Sequence, residues 1–447
     1  MKTLLASLIT MLSLVAPATE PPNHRFEATN VARLSAAEVN ALVEVMRTNN
    51  PALRAQEARV RASGHATNTV RTWSDPMVSF GGVFSDGARG PMLEEEGDLV
   101  YELEQPLPLF GKAAAARDVA QREADVELSR ASMEFQNLRR DLAKLLFTLA
   151  NQEQSIEIGQ QDSAWLQTMT EVAEERYRAG TATQVEVLRM QNERAKRTDS
   201  LRTETRRRDQ SQVSLNRFLN RPLQSPHPKY LLPDIAPAIP LSSNLVNLAV
   251  RNEPRLRLLS AEIKTAEAQT ASTRKARLPE VAGFLEGRQY SGDGGFREAT
   301  IGVKLTLPWL NAGKYRSDLA RDRARVQAAQ YDAENMAQLV REEAHQLVVE
   351  IDAARREALL YRDEILPRSR LALETAHANW IANRGMFNDV MESRRMLLEA
   401  QLMLARAVTE QHRAMSELVL CCGLGDLESL EAFRETDSSA PSPINIP

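Results

Sequence analysis

The chain has 447 residues, of which 26% are charged, 43% hydrophobic and 5% aromatic. Its 56 basic and 60 acidic residues leave a formal charge of −4, which argues against a nucleic-acid partner, because nucleic-acid binding favours a clustered basic excess. The sequence contains no phosphate-binding P-loop, no nucleophilic GxSxG and no paired-cysteine metal motif. It therefore offers no support for an enzyme, and we expect no catalytic residue, cofactor or resident metal.

The N-terminus is typical of an export signal. Lys2 precedes an apolar run from Leu4 to Val15, and Ala16-Pro17-Ala18 fits a small-x-small cleavage site. We expect a signal peptide over residues 1–18; a buried N-terminal helix is the alternative. No later stretch is apolar over the length of a membrane helix, so a membrane location would have to use strands.

An internal repeat organises the rest of the chain. Three motifs recur in the same order about 200 residues apart, which is typical of tandem duplication. They are Asn50-Pro51-Ala52-Leu53-Arg54 with Glu253-Pro254-Arg255-Leu256-Arg257, Asp75-Pro76 with Leu278-Pro279, and Pro106 and Gly111-Lys112 with Pro308 and Gly313-Lys314. We assign residues 19–220 to the first repeat and 241–424 to the second. A proline-rich linker, 221–240, joins them, and 425–447 form a flexible tail.

Each repeat is predicted to run helix, hairpin, very long helix, turn, helix. Residues 36–73 and 243–276 are rich in Ala, Leu, Arg and Glu, which favour helix. The stretches 112–179 and 314–383 are longer, and their 3-4-3-4 apolar spacing is typical of coiled coils. Pro367 interrupts the second of these stretches and leaves a bent or broken helix open there.

Two segments in each repeat alternate between apolar and polar residues, which predicts strands at 77–84, 98–105, 281–290 and 299–307. Each has about the length that a tilted strand needs to cross a bilayer. The apolar face of the second strand of each pair is expected to meet lipid: Leu99, Tyr101, Leu103, Ile301, Val303 and Leu305.

Four strands would leave two open sheet edges, which lipid does not tolerate, so the chain must oligomerise if these strands enter a membrane. Two chains would give eight strands and a barrel filled by side chains, whereas three would give twelve strands and room for a lumen. A helical protein with two hairpins outside any membrane is the alternative, although an export signal would then remain unexplained.

These residues resemble TolC-type outer-membrane efflux proteins. The resemblance lies in the paired repeats, in the junctions Pro-Leu-Phe-Gly-Lys (108–112) and Pro-Trp-Leu-Asn-Ala-Gly-Lys (308–314), and in Tyr177-Arg178-Ala179-Gly180 at a helical turn. It implies a mainly α fold with a small transmembrane β part. It further implies a homotrimer with a twelve-stranded barrel in the outer-membrane lipid of a Gram-negative-type cell and an α-helical tunnel in the periplasm.

The same resemblance implies a passive exit duct in a tripartite efflux system. Its partners would be a periplasmic adaptor (membrane fusion) protein and an inner-membrane pump of the RND or ABC type. A different class of protein, a periplasmic coiled-coil adaptor or scaffold without a membrane barrel, is the alternative. Such adaptors use one helical hairpin, whereas two long hairpins are predicted here.

The resemblance also places the narrow periplasmic end of the tunnel at the two helix–helix turns. Gly180 and Thr183 belong to the first turn, and Arg384 and Gly385 to the second. Acidic rings near this aperture are implied for three residues: Glu186, Asp389 and Glu392. Threefold symmetry would make such rings a cation-favouring constriction. Because Thr183-x-x-Glu186 is also a capping box, a purely local role for Glu186 stays open.

The last helix carries a group of methionines: Met386, Met391, Met396, Met403 and Met415. Methionine is a flexible core filler, but its thioether also suits copper(I) or silver. Residues 387–394 resemble the heavy-metal branch of the family, which makes metal cations the preferred cargo. The adjacent Cys421 and Cys422 cannot form a relaxed disulfide with each other. We expect them to be small apolar side chains near a helix end, with a soft-metal site as the alternative.

Overall fold

A computed structural model describes residues 31–70, 72–83, 98–290, 294–425 and 429. The expected signal peptide, Phe84 at the expected end of the first strand, and nearly all of the expected C-terminal tail lie outside these residues. The described part is mostly helical and contains a four-stranded and a two-stranded sheet. None of the described helices combines the length and the apolar character that crossing a membrane would require.

The elements of the first repeat are β1 (Val31–Arg33), α1 (Ala36–Asn49), α2 (Pro51–Thr69), β2 (Met77–Val83), β3 (Asp98–Leu107), α3 (Lys112–Arg178) and α4 (Gln184–Phe218). The linker contains β4 (Lys229–Leu231). The elements of the second repeat are α5 (Ser243–Asn252), α6 (Pro254–Ala276), β5 (Val281–Tyr290), β6 (Phe296–Leu305), α7 (Ala312–Leu360), α8 (Leu366–Ile381) and α9 (Phe387–Cys421).

The first helical stretch of each repeat is divided in two, so the expectation of single helices over 36–73 and 243–276 was wrong. Asn50 ends α1 and caps α2, where its side chain accepts a hydrogen bond from the amide of Ala52 at 2.8 Å. Glu253 occupies the same position between α5 and α6. Each new helix begins with proline, which suits the first helical position because it has no N–H to leave unbonded.

The long helices differ between the repeats. Helix α3 is continuous over 67 residues. In the second repeat, α7 passes through a π-turn at Tyr361–Ile365 before α8 begins. Pro367 lacks the amide that would bond to the carbonyl of Asp363, and the wider turn accommodates its ring. The broken helix that the sequence left open at Pro367 is the arrangement found.

The four-stranded sheet is antiparallel, in the order β2-β3-β5-β6. Two strand bounds differ from the prediction: β3 extends to Leu107, and β6 spans 296–305 instead of 299–307. Pro106 lies within β3, beyond the Met77–Glu104 pair that ends the pairing with β2. β3 therefore has a neighbour on one side only at this point, an edge position that tolerates proline. Leu307 precedes a short 3₁₀ turn, Pro308–Asn311.

The linker is fixed to the rest of the molecule, which its proline content did not indicate. β4 pairs in parallel with β1, and the side chain of Tyr230 on β4 is buried. Gln411 on α9 makes two hydrogen bonds to the backbone of Ala236, at 3.0 and 2.8 Å. The predicted extended segment therefore contains a short strand and a side-chain anchor.

Each repeat has its own apolar core where its short helices meet its long ones. The first core joins α1, α3 and α4 around Leu142, Leu146 and Phe147. The second joins α5, α7 and α9, and it includes Cys421 and Cys422. Burial raises the pKa of the Cys422 thiol to about 12 and that of Cys421 far above its usual range. Both cysteines are therefore protonated core side chains, as the simpler interpretation expected.

Candidate functional site: the helix turns and the sheet

The first helix turn joins α3 to α4. Gly180 adopts φ +73°, a left-handed conformation that glycine takes without steric cost. Thr183 caps α4: its hydroxyl oxygen accepts from the Glu186 amide at 3.3 Å, and its O–H donates to Glu186 Oε1, also at 3.3 Å. Glu186 Oε2 is shielded from solvent and has no hydrogen-bond partner among the described residues. Capping thus accounts for one oxygen of this carboxylate.

The second helix turn joins α8 to α9. Asn383 has φ +56°, and Arg384 is exposed. A Cβ added at Gly385 would lie 2.9 Å from Asn379 Cβ, so the close approach of the backbone requires glycine there. Asp389 is exposed in the first turn of α9, where the helix dipole favours a negative charge.

Arg176 near the end of α3 connects the two turns. Its guanidinium donates to the carbonyl of Ile381 at 3.0 Å and to the side chain of Asn383. It also lies over the ring of Trp380, 4.6 Å from the ring centroid. The motif quoted from the sequence begins one residue later, at Tyr177, so sequence reasoning missed this arginine.

The three acidic candidates do not line a common cleft within one chain. Glu186 and Thr183 line a cleft between the two turns, together with Gly385. Glu392 lines a different groove, between α4 and α9, and pairs with Arg395 at 3.3 Å. Asp389 lines neither of these two clefts.

A buried charge cluster, formed by Asp162, Arg197 and Arg394, lies further from the turns. Arg394 on α9 donates to both oxygens of Asp162 on α3, at 2.8 Å each, and Arg197 on α4 donates to Asp162 at 2.8 Å. All three side chains are less than 10% exposed. The cluster joins helices of both repeats. No local pattern could have found it, because Asp162 and Arg394 are 232 positions apart.

The sheet gathers all six residues expected to meet lipid on one face. The register aligns Leu103, Leu285 and Ile301 across three strands, and Tyr101 is aligned with Gly287. Ile301 is 84% exposed, whereas Tyr101 is half-buried. The other candidates on this face, which are also exposed, are Leu99, Leu103, Val303 and Leu305.

The opposite face of the sheet is polar and carries ion pairs. Lys304 binds Glu104 at 2.8 Å and also contacts Glu102. Arg288 lies 3.2 Å from Glu286 and 3.4 Å from Glu298. The alternation read from the sequence therefore produces one apolar and one charged surface on the same thin sheet.

The methionines of α9 do not share one environment. Met415 is buried in the second core, but Met386 is 72% exposed and Met396 is also exposed. These two side chains are therefore not part of a core within the single chain. Within the described ranges, no group of three or more His, Cys, Asp or Glu residues could hold a metal ion.

Comparison with known proteins identifies relatives over nearly all of this architecture. The family profile of outer membrane efflux proteins matches residues 42–221 and 245–424. The chain is 24% identical to the pyoverdine export outer membrane protein OpmQ of Pseudomonas putida, over 87% of this chain and 86% of that one.

Solved structures show the same fold. CusC superposes with a TM-score of 0.77 at 14% identity, over 87% of this chain and 92% of CusC. The outer membrane protein VceC of Vibrio cholerae gives 0.72 at 18% identity, over 87% of this chain and 97% of VceC.

Proposed function

Because this chain belongs to the outer membrane efflux protein family, we propose that three copies assemble into a channel that serves as the exit duct of a tripartite efflux system. Membership of the family makes the protein a transport duct in the outer membrane and not an enzyme. It also favours the duct over a periplasmic adaptor or scaffold.

The two-faced sheet is the observation that carries the proposal. Its apolar face includes Ile301, Val303 and Leu305, which one chain leaves exposed, while its other face carries charges. Its outer strands, β2 and β6, are each paired on one side only. Joining β6 of one copy to β2 of the next would satisfy both edges, and twelve strands from three copies would enclose a lumen.

Replacing Val303 tests this orientation. Val303→Arg should cost about 2 kcal/mol or more per chain if the side chain meets acyl chains. Thr300→Arg, on the polar face of the same strand, is the matched control and should cost much less. The measurement is the urea midpoint of the trimer in lipid vesicles, followed by heat-modifiable gel migration. Equal stability of the two variants would contradict the membrane orientation.

The periplasmic aperture is proposed to favour cations through Glu186 and Asp389. Glu392 should contribute less, because Arg395 neutralises it locally. The double variant Glu186→Gln/Asp389→Asn should shift the reversal potential in planar bilayers toward equal permeability for K⁺ and Cl⁻. Glu392→Gln is the control, with a smaller shift. Identical reversal potentials for all three proteins would dismiss the acidic aperture.

The proposed cargo is metal cations or small toxic compounds, delivered by a periplasmic adaptor and an inner-membrane pump. The exposed thioethers of Met386 and Met396 support soft metal cations, whereas the name of the relative OpmQ points to export of pyoverdine. Growth of a channel-deficient strain complemented with this chain, on silver or on organic dyes, separates the two classes. Rescue on neither would reject both.

A further inference from the structure

Six exposed residues lie around the junction where β6 ends and the helices of the second repeat begin. They combine two large apolar side chains with four cations, and we name them the junction patch: Arg274, Arg277, Trp309, Leu310, Lys314 and Arg316. Trp309 is 59% and Leu310 75% exposed. Arg274 and Arg277 lie at the end of α6, and Lys314 and Arg316 lie in the first turns of α7, which packs against α6.

Among the residues that the structure describes, the four cations have no carboxylate partner. Across the described ranges none of them forms an ion pair. The acidic residues closest in sequence are already occupied, since Glu280 pairs with Lys112 at 3.3 Å and Asp318 with Arg321 at 3.0 Å. Lys314 also lies in the first turn of α7, where a positive charge opposes the helix dipole. Helix stability therefore does not explain why this charge is there.

At the equivalent junction of the first repeat, the described cations have partners. Lys112, the counterpart of Lys314, is paired with Glu280. Arg117 donates to the carbonyl of Val70 at 3.0 Å and to the Thr72 hydroxyl at 3.2 Å. Phe110 is exposed at this junction as well. Both junctions thus present aromatic side chains; among the described residues, Lys112 and Arg117 of the first junction have partners, whereas the four cations of the second form no ion pair.

We propose that the junction patch binds the phosphate groups of anionic phospholipids in the leaflet that faces the helical part of the protein. The proposal rests on the proposed membrane barrel, because the patch follows directly on the apolar face of β6. Tryptophan favours the boundary between acyl chains and headgroups. Guanidinium groups match phosphate oxygens in a bidentate geometry. Leu310 would enter the acyl layer beneath the bound headgroups.

The test compares two lipids that differ in headgroup charge. The full-length trimer is prepared in detergent and titrated with phosphatidylglycerol or with phosphatidylcholine, and bound lipid is counted by native mass spectrometry. The wild type should prefer phosphatidylglycerol by about tenfold or more, since each cation near an anionic headgroup contributes to binding. The variant Arg274→Gln/Arg277→Gln/Lys314→Gln/Arg316→Gln should lose this preference. The control variant neutralises four exposed arginines of α4 that form no ion pair within the described residues, and it should retain the preference: Arg194→Gln, Arg202→Gln, Arg206→Gln and Arg207→Gln.

Conductance in phosphatidylcholine bilayers separates this inference from the proposed function. A junction variant that inserts and conducts normally, yet has lost its preference for phosphatidylglycerol, supports the inference. A wild type that conducts without any lipid preference overturns the inference and leaves the channel intact. A wild type that never inserts overturns the channel itself. A junction variant that dissociates into monomers in both lipids would show that the cations pair between subunits, which also overturns the inference.

Discussion

Two regions of the long helices hold them together by different means. In the core of the first repeat, Leu142, Leu146 and Phe147 are at most 1% exposed and pack mainly against other apolar side chains. Further along α3, the buried charge cluster joins Asp162 to Arg197 and Arg394. Apolar packing is non-directional and supplies stability, whereas the paired hydrogen bonds between arginine and carboxylate require one geometry. The comparison indicates that the core holds the helices and the charge cluster sets their register.

Breaking the charge cluster should have the largest effect. Asp162→Asn leaves two buried guanidinium groups without their shared carboxylate and should cost about 3–5 kcal/mol in the free energy of unfolding. Urea unfolding followed by circular dichroism measures this cost. The triple variant Asp162→Leu/Arg197→Met/Arg394→Met removes all three charges and should recover part of the stability, since Glu204 and Glu193 then lose their ion pairs with Arg197 and Arg394. A triple variant as unstable as the single one would show that the charges are not the cause.

Truncating the apolar core should have the next largest effect. Leu146→Ala removes a fully buried side chain and should cost about 2–5 kcal/mol, through lost burial and the cavity that remains. The same unfolding measurement applies. Gln161→Ala, at an exposed position of the same helix, is the control and should change little. The apolar core is assigned the stability of the helices, and the charge cluster their register. If Leu146→Ala altered ion conductance more than Asp162→Asn did, this assignment would be wrong.

The smallest effect is expected outside both regions, at His227 beside the end of α4. Burial, with a contribution from Arg221, lowers the pKa of His227 to about 4, below its ordinary value of 6.5. The unfolded chain therefore takes up a proton before the folded chain does. Stability is complete above pH 6.5 and falls as the pH drops toward 4. The loss is moderate because the ring is partly open to solvent.

Stability profiles over this pH range provide the measurement for His227. His227→Gln keeps a polar side chain next to Asn216 and should flatten the slope between pH 6.5 and 4. His65→Gln, at an exposed histidine of α2, should leave the slope unchanged. An unchanged slope in His227→Gln would assign the acid sensitivity to other groups.

The sequence predicted those parts of the fold that local signals determine. Alternation over 281–290 placed β5, and Pro367 indicated the break between α7 and α8. The division of the first helices was also signalled, by Pro51 and Pro254, but it was outweighed by helix-forming composition. The pairing of β1 with β4 could not be predicted, because it depends on contacts between residues about 200 positions apart.

In the candidate site, too, local signals predicted some residues and missed others. Thr183 and Gly180 follow from cap and turn chemistry, and the structure places both as such chemistry requires. Arg176 and the buried charge cluster lie on helical stretches of mixed charge, where a paired arginine has the same sequence pattern as a solvated one. Arg176 and Asp162 find partners in the other repeat, so only the folded chain reveals these contacts.

The π-turn at Tyr361–Ile365 changes the direction in which the side chains of α8 point. A π-turn contains one residue more than an α-turn, so every side chain beyond it is rotated by about 100° relative to an uninterrupted helix. Trp380, which is 3% exposed, lies on the inner side of α8 only with this rotation included. Removing one residue here would straighten the helix and turn Trp380 outward. A one-residue gap between relatives at this place would therefore mark a different helix face and not a neutral change in length.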